Sequence, residues 1–404
     1  MIGLPVMPLK KKKDPVTEPA PKPAPKPAHP RGFHFHPYKP QDREFIIMPD
    51  LPDNAVELFQ LFCPVSLVEK WVIWTNDWVA SLIHEGLLKH ARLRLWWPLS
   101  VAEVYIWLAI LIYMGIFPKT RVADHWKTSR AGVLHPTHPI IKFMTFNRWQ
   151  LIFRHIRIFP PFEEPENAVQ RMISRVSEWS DLLQAVSTDL WEPGLQIAID
   201  ECMIRYTGRT KAKCLMPKKP IKRGIKAWVA AEKGYFLRWR FHIPIAARGL
   251  ASKRKAEKQA LAETQAVVLD LVLQLPTATY HVFFDNLFSS ADLFRSLRGH
   301  GHGATGTARV NSGIYIDLKK DKKRDKAGTC GYDFNEVRAV PTADNKVSLS
   351  DEIVCVSLTN LSLRQVNQIA WKDNALVLFM STVFKADDDE RVERKRKRPS
   401  TDHS

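Results

Sequence analysis

Apolar residues recur three and four positions apart through the first half of the chain, which is the spacing of a buried helix face. Four stretches with this spacing lie at 57–86, 101–115, 147–158 and 170–190. The longest apolar run, 104–117, is shorter than the ~18 residues that a membrane-spanning helix needs, and Pro118 follows it. We therefore expect a buried helix there, no membrane partner, and a helical N-terminal region over residues 44–193.

From residue 195 onwards the pattern changes to short apolar strands separated by turn-forming residues. Strands are predicted at 195–200, 224–232, 235–243, 280–286 and 304–310, and helices at 258–275 and 289–301. The order βββαβαβ begins antiparallel and finishes parallel, which is typical of a mixed sheet with helices packed against it. The predicted fold class is α/β, and this order is similar to the ribonuclease H-like one, whose first part would cover residues 194–310.

Proline and charge runs mark the two ends of the chain. Eleven of the 28 prolines lie in the first 40 positions, where a Lys-Pro-Ala unit repeats, so residues 1–43 are predicted to be a disordered tail. Residues 385–404 carry a dense run of charges and are predicted to form a second disordered tail.

The segment between the core and the second tail has mixed character. Residues 311–350 are rich in charged and turn-forming residues, which predicts a flexible insertion. Strands return over 351–384, with apolar runs at 352–358 and 375–382. A turn at 372–374 is predicted to join them as a pair.

The net charge of +18 and the pI near 9.7 predict attraction to a polyanion. Nucleic acid is the leading partner, but an acidic membrane surface or a ribosome would suit the same charge. The five cysteines form no CxxC pair, which favours reduced thiols in an intracellular protein and gives no sign of a zinc module. The N-terminal charges follow a short apolar stretch instead of preceding it, unlike those of a secretory signal.

Two carboxylates are candidates for metal chemistry because each closes an apolar strand. Asp200 ends LQIAID and Asp285 follows YHVFF, and the ends of adjacent strands can converge. Transfer of a phosphoryl group within DNA uses two divalent cations about 4 Å apart, held by hard oxygen ligands. An Asp at the end of a strand is also a common turn former or helix cap, so the pattern alone leaves both interpretations open.

Two blocks of the sequence resemble the signatures of the piggyBac transposase family. The first block, 199–236, has an Asp-Glu pair, then a Gly-Arg step, a Met-Pro-x-Lys-Pro element and a Gly-Ile-Lys strand. The second, 283–313, has an Asp-Asn followed by an aromatic-containing helix and Thr-Gly-Thr-x-Arg-x-Asn. The strand at 371–382 and the helical stretch at 57–80 also match, so that the resemblance covers roughly residues 44–384.

The resemblance implies a DNA transposase that cuts and joins DNA with Mg²⁺. It makes Asp200 and Asp285 the first two catalytic aspartates and ligands of Mg²⁺. Glu201 is expected to point to the opposite face of the strand, because side chains alternate, and is left out of the site.

The family's third aspartate lies in a Gly-Gly-Val-Asp type of segment after the later strand, and this sequence has no such segment. Neither Asp373 nor the run Asp387 to Asp389 matches that motif. The expectation is therefore a ribonuclease H-like core that is incomplete at its C-terminal end, and an impaired enzyme.

Basic residues follow Asp200 closely and are candidates for contact with DNA phosphates. They are Arg205, Arg209, Lys211, Lys213, Lys218, Lys219, Lys222, Arg223 and Lys226. A solvated loop is the alternative interpretation. A second basic run, Arg394, Lys395, Arg396, Lys397 and Arg398, resembles a nuclear-import patch, with a solvated charge run as its alternative.

Two functions remain open at this point, beside a weaker third interpretation in which the chain is an unstable remnant of a disrupted reading frame. The first is a piggyBac-like DNA transposase in the nucleus, acting on double-stranded DNA at transposon ends, with homodimer formation suggested by the family. The second is a non-catalytic DNA-binding protein derived from a transposase, which keeps the fold and the charge without the chemistry.

Overall fold

The computed structural model describes most of the chain between residues 35 and 386. The described ranges are 35–48, 50–86, 91–129, 136–161, 167–206, 208–217, 219–243, 261–329, 331–341 and 365–386. The predicted strand 352–358, nearly all of the predicted tail 385–404, and the basic run 394–398 lie outside them.

The N-terminal region is helical, as predicted. Its α-helices are α1 Ala55–Phe62, α2 Val65–His84, α3 Val101–Ile116, α4 Phe146–His155 and α5 Ala168–Leu190. The stretch 57–86 is divided into two helices because Pro64, which has no backbone N–H, stands at the N-cap of α2. Among the described residues, no helix has the length and apolar character needed to cross a membrane.

Tryptophans fill the core of this helical region. Trp71, Trp107 and Trp149 are each at most 7% exposed. Trp71 meets Trp179 edge to face, with ring centroids 5.0 Å apart. The helical spacing of these tryptophans thus reflects packing between the helices.

The second part of the chain forms a large mixed sheet with helices on it. A separate two-stranded sheet pairs β1 Ile46–Ile47 with β2 Trp191–Glu192. The large sheet contains, within the described ranges, nine strands: β3 Gln196–Arg205, β4 Lys213–Leu215, β5 Arg223–Glu232, β6 Tyr235–Phe241, β7 His281–Phe284, β8 Gly303–Thr307, β9 Val337–Pro341, β10 Asn367–Lys372 and β11 Leu376–Ser381. The helices of this part are α6 Glu263–Leu273, α7 Ala291–Gly299 and α8 Ile316–Lys326.

The strand order is β4-β5-β3-β7-β8-β11-β10-β9, and β6 pairs with β5. Strands β3, β5 and β6 are antiparallel, whereas β7 and β8 run parallel to β3. Lys233 and Gly234 join β5 to β6 with φ angles of 49° and 89°, which suits a tight hairpin of right-handed twist. The predicted mixed sheet, antiparallel at first and parallel later, is confirmed.

The two faces of this sheet differ. Ile199 on β3 and Phe284 on β7 share one buried cluster with Leu271 of α6, Phe294 of α7 and Leu318 of α8. We call this side the helix-covered face, and the other side the opposite face. Because side chains alternate along a strand, residues 198 and 200 of β3 lie on the opposite face, where both are exposed.

The predicted flexible insertion over 311–350 is wrong where the structure describes it, since residues 316–326 form α8 and 337–341 form β9. α8 contains almost no apolar residues, and it is held to the sheet by the charged contacts of its acidic side chains, which a reading for hydrophobic spacing does not detect. β11 forms its hairpin with β10, and the predicted strand 352–358 lies outside the described residues.

The predicted disordered tail needs correction between residues 35 and 43. The Tyr38 backbone N–H donates to the Thr382 carbonyl at 2.7 Å, and its hydroxyl donates to the Gly301 carbonyl at 2.6 Å. Arg298 Nη2 donates to the His36 carbonyl at 2.7 Å. These residues are thus fixed to the end of the sheet at which β7 and β8 begin. Local composition could not predict this, because the contacting residues are far apart in the sequence.

Candidate functional site

Asp200 and Asp285 stand at the same level on neighbouring parallel strands. β3 and β7 pair in register over four residues, and each β7 residue is numbered 85 above its β3 partner. Asp200 and Asp285 continue that offset, since 285 minus 200 is 85. In-register side chains of parallel strands point to the same face, and neighbouring strands lie about 4.8 Å apart. The two aspartates are therefore neighbours on the opposite face.

The structure changes one detail of the predicted positions. Asp285 directly follows β7, as predicted, but Asp200 lies within β3, which continues to Arg205. β3 extends beyond the predicted strand because its pairing with β5 continues to the pair formed by Arg205 and Gly224. The backbone of Asp200 is therefore fixed, because it pairs with β5 on one side and the neighbouring residue Ile199 pairs with β7 on the other.

Each of the two carboxylates accepts one backbone hydrogen bond. Asp200 Oδ1 accepts from the Glu201 N–H at 2.7 Å, and Asp285 Oδ1 accepts from the Leu287 N–H at 2.7 Å. The second contact makes an Asx-type turn between β7 and α7. The described residues provide no donor to either Oδ2 atom, and both side chains are exposed. One oxygen orients each carboxylate and the other remains available to a ligand.

This donor set fits a hard divalent cation such as Mg²⁺. Carboxylate oxygens bind Mg²⁺ at about 2.0–2.1 Å, one or two protein carboxylates are the usual number, and water or phosphate completes the octahedron. Two carboxylates on strands about 4.8 Å apart can reach one ion between them. Within the described ranges, no three His, Cys, Asp or Glu side chains cluster closely enough to form a larger metal site. Asp373 lies in the β10–β11 turn, two strands beyond β7.

Glu201 is separated from Asp200 by the alternation of β3. Its Oε2 lies 2.9 Å from Lys226 Nζ, and its Oε1 lies 3.4 Å from Lys219 Nζ. Burial alone would raise the pKa of Glu201, but the two ammonium groups outweigh it and lower the pKa below its ordinary value. Glu201 is therefore a charged anchor that holds the basic segment to β3, a role that sequence analysis missed because its partner stands 25 positions away (226 minus 201).

The predicted phosphate-binding residues have different environments. The exposed ones are Arg205, Arg209, Lys211, Lys222 and Arg223. Lys213 and Lys219 are half-buried, and Lys218 lies outside the described residues. Lys226 is 8% exposed, pairs with Glu201, and has its ammonium 3.8 Å from the centroid of the Trp228 ring. Lys226 is therefore not part of the exposed basic surface.

The exposed cations lie beyond Asp200 along β3. Arg205 is five residues further on, about 17 Å at the rise of a strand. Arg223 begins β5, which pairs with this end of β3, and β4 adds the edge strand beside it. The carboxylates and the cations thus lie at the same end of the sheet, at which β3 and β7 terminate.

Comparison with known proteins agrees with this architecture. A family model described as Transposase IS4 matches residues 54–399. The human PiggyBac transposable element-derived protein 3 is 25% identical over 294 residues, which cover 69% of this chain and 44% of the relative. The human PiggyBac transposable element-derived protein 2 is 25% identical over 294 residues, which cover 70% of this chain and 45% of the relative. The chain thus spans less than half the length of either relative.

A solved structure shares the fold. It is a piggyBac transposase in a cryo-EM synaptic complex with hairpin DNA, with a TM-score of 0.61 and 18% identity, and the match covers 87% of this chain and 65% of that one. The family model spans most of the 404 residues, and the two human relatives and the solved structure all carry the name piggyBac. The chain belongs to the piggyBac transposase family, with an IS4-like transposase domain.

Proposed function

We propose that this chain binds double-stranded DNA beside a divalent cation held by Asp200 and Asp285, as the metal-binding part of a transposase that cuts and joins DNA at transposon ends. The observation that carries the proposal is the shared register of the two aspartates on β3 and β7. The strand order β6-β5-β3-β7-β8, which is antiparallel at first and then parallel, supports a ribonuclease H-like core.

In this proposal the chain's own residues orient the metal ligands. The backbone N–H groups of Glu201 and Leu287 hold one oxygen of each carboxylate, and the other oxygen faces the ligand. Mg²⁺, when bound, would stabilise the negative charge that develops on phosphate oxygens during strand cleavage. The cations at the end of β3 and the start of β5 neutralise neighbouring phosphates and keep the duplex near the carboxylates.

The rival function is DNA binding without chemistry. It is favoured by the donor set of the described residues, which has two carboxylates in register and no third metal-ligating side chain in the cluster. Both functions use the same fold and the same basic surface, and they differ only in whether bound DNA is cut. The DNA in the synaptic complex of the solved relative supports a nucleic-acid partner for either function. A homodimer and nuclear location through residues 394–398 stay predictions.

Metal binding is tested by calorimetric titration of the full chain with Mg²⁺ and Mn²⁺. Asp200→Asn and Asp285→Asn should each weaken binding at least about tenfold, the loss typical of disturbing a metal ligand's support. Asp53→Asn is the matched control, since Asp53 is an exposed aspartate before α1. Equal affinity in all four proteins would refute the metal site.

DNA binding is tested by its dependence on salt. A duplex-binding surface loses about 0.9 in the slope of log K against log salt for each phosphate contact removed. We expect Arg205→Ala, Arg209→Ala, Lys222→Ala and Arg223→Ala, made together as the strand-end variant, to lower the slope by about 2 to 4.

The control for that variant removes three exposed lysines from the other end of the sheet: Lys39→Ala, Lys233→Ala and Lys385→Ala. This opposite-edge control should keep the wild-type slope. If both variants change the slope equally, the attraction is diffuse and the strand-end surface is not specific. Nicking of the bound duplex in Mg²⁺ that Asp200→Asn abolishes would favour the transposase over the non-catalytic protein.

A further inference from the structure

Helix α8 sorts its charges onto two faces. Its sequence, IDLKKDKKRDK, has three acids and six cations. Asp317, Asp321 and Asp325 follow one another at intervals of four and so share one side of the helix. That side faces the protein, since Asp321 is 8% exposed and the Asp325 side chain is 4% exposed.

The sheet neutralises the inward acids. Asp325 Oδ1 accepts from Lys372 Nζ at 2.5 Å, and its Oδ2 accepts from the Leu376 N–H at 2.7 Å. Asp321 Oδ2 accepts from the Tyr332 hydroxyl at 3.0 Å. Because β10, β11 and Tyr332 provide these partners, much of the acidic charge is satisfied without the helix's own lysines.

Three lysines of α8 have no acidic counterpart. Lys323 and Lys326 are exposed and Lys319 is half-exposed, and their spacing of four and three residues aligns them on one side of the helix. None of the three forms an ion pair with another residue in the described part of the chain. Along the helix they span about 10 Å, which matches about three phosphates of one DNA strand.

We propose that Lys319, Lys323 and Lys326 form a second contact surface for duplex DNA, separate from the carboxylate site. α8 packs through Leu318 onto the helix-covered face, whereas Asp200 and Asp285 project from the opposite face. DNA on α8 is therefore held on the other side of the sheet from the proposed metal. A membrane surface fits less well, because Leu318 faces the core and Ile316 is the one exposed apolar residue of α8, which leaves little apolar surface to insert into lipid.

This inference rests on the proposed binding of DNA, and the experiment separates the two. Salt slopes are measured on one duplex for the full chain, the strand-end variant, the opposite-edge control, and an α8 variant with Lys319→Ala, Lys323→Ala and Lys326→Ala. A fifth protein carries Arg at the same three positions. Circular dichroism checks that each retains its helix content.

We expect the α8 variant to lower the slope by about 2 to 3, at about 0.9 for each contact. The Arg version and the opposite-edge control should keep the wild-type slope, and combining the α8 and strand-end changes should add their separate losses, as distant sites do. A wild-type slope in the α8 variant, with a lowered slope in the strand-end variant, overturns the second surface and leaves the proposed function intact. A full chain that does not bind the duplex overturns both.

Discussion

The ion pair between Arg148 and Glu103 should be the most sensitive polar contact of the helical region. Arg148 on α4 is 3% exposed, and its Nε and Nη2 donate to the two carboxylate oxygens of Glu103 on α3, each at 2.7 Å. The guanidinium also lies 4.6 Å and 4.1 Å from the ring centroids of Trp96 and Trp97. Glu103→Gln removes the countercharge and one of the two carboxylate acceptors while keeping the side-chain shape.

The expected cost follows from the burial of the arginine. Removing one partner of a buried ion pair leaves an uncompensated charge and typically costs 3–5 kcal/mol. Glu103 itself is 21% exposed, so that water reaches the site, and the two indole rings keep part of the favourable interaction with the cation. We therefore expect a loss of about 3 kcal/mol in the free energy of unfolding, the lower end of that range.

The measurement is urea unfolding followed by tryptophan fluorescence, since indole rings surround the site. Glu178→Gln is the matched control, because the Lys70–Glu178 pair spans 2.9 Å in the same region but is 54% and 37% exposed. The control should change stability by about 0.5 kcal/mol or less. Replacing the pair together, Glu103→Leu with Arg148→Met, should recover most of the loss. Equal, small effects of Glu103→Gln and Glu178→Gln would refute the reasoning.

Two further predictions concern the sheet. Gly224→Ala should destabilise the protein by about 2 kcal/mol or more in urea unfolding, because a Cβ there would overlap the Ile204 carbonyl oxygen across the β3–β5 pair. Gly115→Ala in α3, with open space around it, should be neutral or stabilising, and equal effects would contradict the clash. Burial lowers the pKa of His281 from 6.5 to about 4, so the unfolded chain takes up a proton first and stability should fall as pH drops from 6.5 to 4. The loss should reach roughly 3 kcal/mol and be absent in His281→Gln; the same pH profile in both proteins would contradict it.

The core strands could be predicted from the sequence because each is an apolar segment bounded by turn-forming residues. Lys233 and Gly234 marked the β5–β6 hairpin, and the acids closing two apolar runs indicated which strands meet. The level of Asp200 within β3 could not be predicted, since residues 201–205 mix polar and apolar side chains. That mixture arises because Glu201 on the helix-covered side is satisfied by Lys226, which local periodicity does not reveal.

α8 and β10 were missed for a similar reason. α8 has Leu318 as its one buried apolar residue, and its inward side is held by Lys372 and Tyr332, which come later in the sequence. Apolar spacing therefore predicts a loop there. In β10, Gln368 accepts a hydrogen bond from the Tyr315 N–H at the start of α8. A polar residue therefore occupies a buried strand position, and the apolar pattern that would predict the strand is interrupted.

The attachment of residues 36–38 to the sheet has a consequence for synthesis on the ribosome. Tyr38 bonds to Thr382, 344 positions later (382 minus 38). At about 5–20 residues per second, roughly 20–70 s pass between the emergence of the first partner and that of the second. The early segment therefore lacks this partner while the helical region is synthesised, and the end of the sheet at which β7 and β8 begin can close only after residue 382 has emerged.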